Sequence, residues 1–98
     1  MADFILSKKA LQDLADIWNY TYDKWSENQA DKYYHSLLEG CKKICECPDS
    51  YGKDYNYILE GLKGFRVAKH IIFYKTLLTG EVFIIRFLHE RMDIPNRI

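Results

Sequence analysis

Cationic side chains that could bind a negatively charged target collect in the second half of this 98-residue sequence. All four arginines lie there: Arg66, Arg86, Arg91 and Arg97. An arginine is a fixed cation, so it can bind phosphate or stabilise negative charge but cannot move a proton at neutral pH. The neighbouring group that titrates near neutral pH is His89, which Glu90 follows. This set therefore favours recognition of anions, with little capacity for acid–base chemistry.

Motifs of other chemistries are missing from the sequence. It contains no glycine-rich phosphate loop, Walker motif or Ser–His–Asp pattern. Cys41, Cys45 and Cys47 leave one thiol unpaired however they pair, which is a poor disulfide framework and fits a reducing cytosol. Because Cys41 and Cys45 share a helical face without a convincing further ligand, we expect buried thiols and not a zinc site. We therefore expect no metal and no cofactor.

Charge is balanced over the whole chain but divided between its halves. The sequence has 14 Lys and Arg and 14 Asp and Glu, so the formal net charge is zero. Residues 1–50 hold 6 basic and 9 acidic residues, and residues 51–98 hold 8 and 5. The overall balance argues against a general nucleic-acid binder, which normally carries an excess of Lys and Arg. The basic second half still suits a target made of protein and DNA.

Length and composition predict a single domain over residues 1–98. A chain of this length forms one core and has a radius of gyration of about 13 Å. Only three consecutive apolar residues, 4–6, lie near the N-terminus, too few for a signal peptide. The longest apolar runs are too short to cross a bilayer. We expect a cytoplasmic protein with no membrane contact.

Helical periodicity begins shortly after the N-terminus. A short strand is expected over residues 2–6, and Ser7 is placed to cap a helix over residues 8–24. Asp13 falls on the solvent side of that helix. The apolar stripe, interpreted first as core, contains Leu11, Leu14, Trp18, Tyr22 and Trp25.

A second helix follows almost without a linker. Ser26 and Gln29 have the spacing of a capping box, and Pro48 ends a helix that reaches to about Glu46. With so short a connection the two helices must form an antiparallel hairpin. Gly40 within the second helix costs about 1 kcal/mol relative to Ala, which predicts close approach of the partner helix or the sheet.

The remaining residues have the pattern of strands. Residues 47–57 are interpreted as a loop rich in Pro, Asp, Ser and Gly. Strands are expected at 65–67, 69–77 and 82–88, with Thr79-Gly80 as a tight turn. Consecutive strands with short turns pair antiparallel. The predicted fold class is α+β: an N-terminal strand and an antiparallel helical hairpin, packed on a small antiparallel sheet of about three C-terminal strands.

The last strand is apolar on both faces. Alternation points Phe83, Ile85 and Phe87 one way, and Val82, Ile84, Arg86 and Leu88 the other. One helical hairpin covers one face of a sheet, so the other face needs a partner, a second copy or the C-terminal tail. Arg86 is expected either to pair with a helix carboxylate, such as Glu39 or Asp13, or to face a partner. Lys69 and His70 are interpreted as turn polarity.

Three segments of the second half carry a more specific pattern. They are Leu62 to Arg66, His70 to Lys75, and Ile84 to Asp93. Together they resemble the sheet half of the RelE/ParE toxin superfamily. The run from Arg86 to Asp93 is the most specific and looks like the ParE branch, whose last strand typically runs Ile-x-Arg-Val-Leu-His-x-Arg-x-Asp. The helical segments around Ile17-Trp18 and Gln29-Ala30 resemble the same family, so the likeness spans about residues 4 to 94.

This resemblance implies a toxin of a bacterial type II toxin–antitoxin system. Toxins of this type are held inactive by a cognate antitoxin whose C-terminal segment wraps the toxin. Free ParE-like toxins poison DNA gyrase, so the resemblance implies inhibition of gyrase and a block of replication, with no catalytic site in the toxin itself. The implied partners are the antitoxin, in a hetero-oligomer, and DNA gyrase.

Two alternatives remain open. The RelE branch implies a ribosome-dependent mRNA endonuclease, in which Arg66, Arg86 and His89 would stand at about the catalytic positions, with the ribosome and mRNA as partners. The lack of a strong net positive charge argues against docking on ribosomal RNA. The second alternative is a degenerate toxin that acts only as an antitoxin-binding module.

Two sets of candidate residues follow, both suggested by the clustered arginines, the apolar last strand and the family likeness. The target set contains Arg66, Arg86, His89, Arg91 and Arg97. The antitoxin set contains Trp18, Tyr22, Phe83, Ile85 and Phe87, on the exposed side of the last two strands and beside the helical hairpin.

Overall fold

The computed structural model describes residues 3–98, so residues 1–2, with the start of the predicted first strand, lie outside the described residues. The radius of gyration is 13.1 Å. None of the helices in this range combines the length and the apolar character needed to cross a membrane. In chain order the elements are β1 (Phe4–Leu6), α1 (Lys8–Lys24), α2 (Glu27–Glu46), α3 (Pro48–Tyr51), β2 (Lys53–Asp54), β3 (Lys63–Val67), β4 (His70–Thr76), β5 (Val82–His89) and α4 (Ile94–Arg97).

Two serine-capped helices form the predicted hairpin. The Oγ of Ser7 accepts a hydrogen bond from the Ala10 N–H at 2.9 Å at the start of α1. At the start of α2 the Oγ of Ser26 accepts one from the Gln29 N–H at 3.1 Å. These caps satisfy amide groups that the first turn of a helix leaves without partners. The predicted bounds of α1, both caps and the end of α2 at Glu46 are confirmed.

The buried side of α1 differs from the predicted apolar stripe. It consists of Ala10, Asp13, Leu14, Ile17 and Thr21. Leu11, Tyr22 and Trp25 are 54%, 49% and 74% exposed, so the prediction of all three as core residues is wrong. The prediction that Asp13 faces solvent is also wrong. Thr21 can be buried because its Oγ donates to the Ile17 carbonyl at 2.8 Å, and Asp13 has partners on β5.

The five strands form one mixed sheet in the order β1-β5-β4-β3-β2. Neighbouring strands from β2 to β5 pair antiparallel, whereas β1 runs parallel to β5. The α+β class, the N-terminal strand, the helical hairpin and the antiparallel C-terminal strands are confirmed. The prediction of an unstructured loop over residues 47–57 is wrong in part, because α3 and β2 lie within it.

A β-bulge in β5 changes the sheet face to which the side chains at the end of that strand point. The register between β4 and β5 slips between Phe73 and Tyr74, which leaves Ile85 of β5 as the extra residue. Ile84 before the bulge and Phe87 after it both pack in the core beneath the helices. The predicted alternation, which placed Phe87 on the same face as Ile85, is therefore wrong.

The sheet face opposite the helical hairpin is covered by the chain itself. A second core cluster on this face contains Leu62, Ile71, Phe73 and Leu88, and packed against it are Tyr55, Ile58, Ile85, Ile94 and Ile98. The cover thus consists of the segment 55–62 and the C-terminal tail. The sequence left open a partner, a second copy or the C-terminal tail as the cover, and the structure shows the tail in this place. The contribution of the segment 55–62 was not predicted.

Gly40 lies in α2 against the sheet. A Cβ built on Gly40 would lie 2.7 Å from Val67 Cγ2 and 2.9 Å from Ile72 Cδ1. Both distances are shorter than carbon–carbon contacts in a packed core. The prediction that a close approach compensates for this glycine is confirmed.

We expect Gly40→Leu to lower the free energy of unfolding by about 1–3 kcal/mol, because overpacking forces the neighbouring side chains out of their rotamers. Gly40→Ala should fail to give the gain of about 1 kcal/mol that helix propensity alone would provide. Urea unfolding followed by circular dichroism measures both changes. Ser36→Ala, at an exposed position of the same helix, is the matched control. A full propensity gain for Gly40→Ala would contradict tight packing at this point.

Candidate functional site

An ion pair between α1 and β5 engages one residue of the target set. Arg86 Nε and Nη2 donate to the two carboxylate oxygens of Asp13 at 2.7 and 2.8 Å, and the two side chains are 15% and 11% exposed. Arg86 Nη1 donates to the Arg97 carbonyl at 2.7 Å. The hydrogen bonds to Asp13 raise the pKa of Arg86 above its ordinary value. Of the two arrangements that the sequence left open, pairing with a helix carboxylate is correct, and the partner is Asp13.

Asp13 also closes the outer edge of β5. β1 ends at Leu6 and pairs with only the first three residues of β5, so the rest of that edge has no strand beside it within the described chain. There the Phe87 N–H donates to Asp13 Oδ2 at 3.0 Å, and Ser7 Oγ donates to the Ile85 carbonyl at 2.7 Å. Buried backbone groups require such partners. Asp13 is buried because it takes the place of a strand.

Three residues of the target set meet at one end of the sheet. Arg66 is exposed on β3, and its guanidinium pairs with the Glu90 carboxylate. The Glu90 N–H donates to the Lys69 carbonyl at 2.9 Å, which ties the chain after β5 to the β3–β4 turn. The Arg91 N–H donates to His89 Nδ1 at 3.1 Å. We call this group, Arg66, Lys69, His89 and Arg91, the basic end.

Arg86 and Arg97 form a separate group. Arg86 is held by Asp13, and Arg97 lies in α4 with its side chain exposed and its carbonyl bonded to Arg86. The structure therefore brings Arg66, His89 and Arg91 together but assigns Arg86 to structural contacts inside the protein. The target set is divided between a surface cluster and a tail anchor.

His70 and Tyr33 adjoin the basic end, and the sequence analysis missed both. His70 is the half-buried first residue of β4, not simple turn polarity, and its Nδ1 lies 2.6 Å from Tyr33 Oη. Its ring centroid lies 5.3 Å from that of His89, edge to face. The two histidines are direct partners across β4 and β5. Without the bulge, counting residues back from the β4–β5 turn would place His70 opposite Leu88. Because no feature of the sequence indicates the bulge, the sequence could not have predicted that His70 pairs with His89.

Burial keeps the Tyr33–His70 pair neutral. Burial and the neighbouring His89 lower the pKa of His70 to about 4, and burial raises the pKa of Tyr33. Tyr33 Oη accepts from the Lys69 N–H at 3.4 Å, so we assign the tyrosine proton to the bond with His70 Nδ1. His70 then carries its ring proton on Nε2. The pair orients a hydrogen-bond donor but supplies no cation at neutral pH.

A cleft opens beside this pair, next to the turn of the helical hairpin. Two cavities of about 390 and 420 Å³ share three lining residues, Tyr20, His70 and His89. The first cavity is also lined by Lys24 and Lys69, whereas the second reaches Asp16 and Met92. We call the combined space the histidine cleft.

The three cysteines are free thiols in different surroundings. Burial raises the pKa of Cys41 to about 12, and Cys45 adds to the effect, so Cys41 is an unreactive core thiol as expected. Cys45 is half-buried, and the prediction of burial is wrong for Cys47, which is exposed. Among residues 3–98 no three His, Cys, Asp or Glu side chains are grouped so as to hold a metal ion.

Nearly all of the chain matches one known family. The family described as "ParE toxin of type II toxin-antitoxin system, parDE" matches residues 4–94. The toxin ParE1 of Mycobacterium tuberculosis is 30% identical over 95 residues, which cover 97% of this chain and 96% of that protein. The toxin ParE1 of Caulobacter vibrioides is 33% identical over 93 residues, which cover 95% of this chain and 94% of that protein. The chain belongs to the ParE toxin family. The resemblance found in its sequence motifs is confirmed.

A solved structure has the same fold as this ParE-type toxin. It comes from the chromosomal ParDE toxin–antitoxin system of P. aeruginosa, and it aligns with a TM-score of 0.77 over 91% of this chain and 96% of that chain. The sequence identity is 16%, so this likeness concerns the fold alone.

The antitoxin set of this ParE-type toxin is divided between helix α1, the covered sheet face opposite the helices, and the core under the helices. Trp18 and Tyr22 stack on α1 with ring centroids 5.3 Å apart. Ile85 packs on the sheet face opposite the helices, and Phe83 points to that face by alternation with its buried neighbours. Phe87 is 2% exposed and belongs to the core under the helices. Phe87 is therefore not available on the surface of the folded chain.

We expect Asp13→Ala to lower the free energy of unfolding by about 3–5 kcal/mol, because it leaves the part-buried Arg86 charge and the Phe87 N–H without their partner. Urea denaturation measures the change. Asp16→Ala, exposed on the same helix, should alter the free energy by less than about 0.5 kcal/mol. The double variant Asp13→Ala/Arg86→Met should recover part of the loss. A loss below about 1 kcal/mol for Asp13→Ala, the size of an exposed ion pair, would contradict the role of this contact.

The lowered pKa of His70 predicts a pH-dependent stability. The pKa of His70 is about 6.5, the ordinary histidine value, in the unfolded chain and about 4 in the folded chain. Between these two pH values the unfolded chain therefore binds a proton at His70 that the folded chain does not bind. The free energy of unfolding should therefore fall as the pH is lowered through this window. His70→Gln, whose amide oxygen can still accept from Tyr33, should show a shallower fall in urea titrations. His35→Gln on the exposed face of α2 should keep the parent slope, and equal slopes for the two variants would count against the prediction.

Proposed function

We propose that this ParE-type toxin acts by inhibiting DNA gyrase and so blocks replication, and that a cognate antitoxin neutralises it. The observation that carries the proposal is the capture of Arg86 by Asp13 and the Arg97 carbonyl. This capture removes one member of the set that an mRNA endonuclease would need, and it leaves a surface with binding capacity and little catalytic capacity.

The basic end has the features of a recognition surface. Arg66 has a side chain 64% exposed, and Arg91 and Lys69 are exposed beside it. Fixed cations that project from one end of a molecule attract a negatively charged partner and orient its approach. A protein–DNA complex in the act of cleavage offers such charge. This supports gyrase with its DNA as the target.

The geometry gives the endonuclease alternative less support. Cleavage by a ribose 2′-hydroxyl requires a base, an acid and a free cation near one phosphate. Arg86 is occupied, and the Glu90 carboxylate is already paired with Arg66. Of the three residues that this alternative would use, Arg86 is therefore held inside the fold and Arg66 is already paired.

The antitoxin is proposed to use the side of the molecule beside α2 as well as the Trp18–Tyr22 stack on α1, in which Tyr22 is exposed and Trp18 is half-buried. A groove of about 430 Å³ between α2 and β3 is lined by Gly40, Phe65 and Val67. β2 pairs with only the first two residues of β3, so the edge of β3 beyond Gly64 has no neighbouring strand among the described residues. An unpaired edge beside a groove that offers both apolar and charged side chains suits an added peptide segment. The solved structure with the same fold comes from a ParDE toxin–antitoxin system, which supports an antitoxin as the partner.

The decisive experiment adds the purified toxin to a gyrase supercoiling reaction and, separately, to a cell-free translation reaction. We expect inhibition of supercoiling with accumulation of cleaved DNA, and no cleavage of mRNA. Arg91→Glu should weaken inhibition at least about tenfold, since it reverses a charge at the basic end and, among the described residues, removes no hydrogen bond or ion pair of the side chain. Lys9→Glu, an equal charge reversal on α1, should inhibit as the parent does.

Inhibited translation with cut mRNA and an untouched gyrase would overturn the proposal in favour of the endonuclease. Measuring the growth of cells in which the toxin is induced without the antitoxin tests the remaining alternative, a degenerate toxin that only binds the antitoxin. Arrested growth that is relieved by co-expressed antitoxin supports a toxin, whereas normal growth would point to a degenerate antitoxin-binding module.

A further inference from the structure

The histidine cleft contains two ring N–H groups whose position is imposed by the fold. His70 Nδ1 accepts from Tyr33 Oη at 2.6 Å, and His89 Nδ1 accepts from the Arg91 N–H at 3.1 Å. A neutral imidazole that accepts at Nδ1 carries its proton on Nε2. Both Nε2–H groups are therefore donors, and in the part of the chain that the structure describes neither has an acceptor.

The two rings are fixed relative to each other. His70 and His89 are register partners on adjacent strands, and their ring centroids lie 5.3 Å apart with an interplanar angle of 86°. The backbone after β5 is tied to the β3–β4 turn through the Glu90 N–H and the Lys69 carbonyl. A pair of donors held on a rigid sheet is preorganised for a ligand with two acceptor atoms, because little freedom is lost on binding.

Charge around the cleft favours an anion of low charge. Lys24 and Lys69 line its first cavity, and Asp16 lines its second cavity. The Glu90 carboxylate lies near enough to act on His70 and Tyr33. Lys24 and Lys69 against Asp16 leave one net positive charge along the lining, since the Glu90 carboxylate is paired with Arg66. This balance suits a singly charged anion better than a phosphate dianion or a nucleic-acid backbone.

The walls of the cleft are suited to a peptide. Tyr20 and Trp25, which are 64% and 74% exposed, flank the first cavity, and exposed aromatic side chains of this kind are typical anchors in protein interfaces. The Lys24 ammonium lies 5.9 Å from the Tyr20 ring centroid, which places a cation beside an apolar surface. An acidic residue with apolar neighbours matches both features.

We propose that the histidine cleft binds the carboxylate side chain of an acidic peptide segment of a partner protein, with the Nε2–H groups of His70 and His89 donating to its two oxygens. Lys24 and Lys69 supply the attractive charge, and Tyr20 and Trp25 contact the neighbouring apolar residues. Lys69 and His89 also belong to the basic end, but binding of the peptide can be tested whichever enzyme the toxin inhibits.

Nuclear magnetic resonance of the ¹⁵N-labelled full chain tests this directly, since the three histidines include an internal control. The probes are acetyl-Leu-Glu-Leu-amide, its Gln counterpart, inorganic phosphate and a short single-stranded DNA. We expect the Glu peptide to shift the Nε2 signals of His70 and His89 in a saturable manner and to leave His35, exposed on α2, unchanged. The Gln peptide should bind at least about tenfold more weakly, because it loses one charge-assisted hydrogen bond.

Two variants complete the test. His89→Phe keeps a ring but removes one donor, and it should weaken binding of the Glu peptide about tenfold. His35→Phe should leave binding unchanged, and thermal unfolding establishes that both variants are folded. Equal binding of the Glu and Gln peptides, equal shifts of all three histidines, or full binding by His89→Phe would overturn the proposal. Tighter binding of phosphate or of the DNA would also overturn it, by assigning the cleft to phosphate.

Discussion

The carboxylate of Asp13 is the point on which the arrangement of this toxin depends. It receives the guanidinium of Arg86 and the backbone N–H of Phe87, and Arg86 in turn holds the carbonyl of Arg97. One contact thereby joins the first helix, the open edge of β5 and the C-terminal tail. A parallel edge strand of three residues cannot pair the whole length of β5, and a side chain from α1 completes the edge. The cost of burying this charge is offset because both carboxylate oxygens are hydrogen-bonded.

The bulge at Ile85 is the second constraint, and it determines which side chains reach the surface. It turns Phe87 into the core and places His70 opposite His89. The same irregular strand therefore closes the hydrophobic core and assembles the basic end and the histidine cleft. Bulges often occupy such positions because one inserted residue redirects the side chains that follow it. The proposed function depends on surfaces, and the bulge orients the side chains that form them.

Much of the fold follows from local patterns, and the site follows from them only in part. The serine caps and the helix bounds were predictable because capping is a local interaction between residues three apart. Gly40 was correctly linked to close packing, since a glycine in mid-helix needs a compensating contact. The target set was divided by the structure, because a sequence shows that Arg86 is an arginine in an apolar strand but not which carboxylate is near. Trp25 and Tyr22 were misplaced because apolar periodicity cannot separate a core stripe from an aromatic surface.

The sequence by itself determined the family, the α+β class and the order of the two long helices and the main strands, because these depend on motifs, caps and periodicity along the chain. Its arginine content also predicts recognition of anions, and this stays a prediction. Only the tertiary structure decided that Arg86 is a structural residue, that the segment 55–62 and the tail cover the second sheet face, and that His70 meets His89. These features depend on the parallel pairing of β1 with β5 and on one extra residue in β5. Neither leaves a local signature, because each arises from how distant segments register against each other.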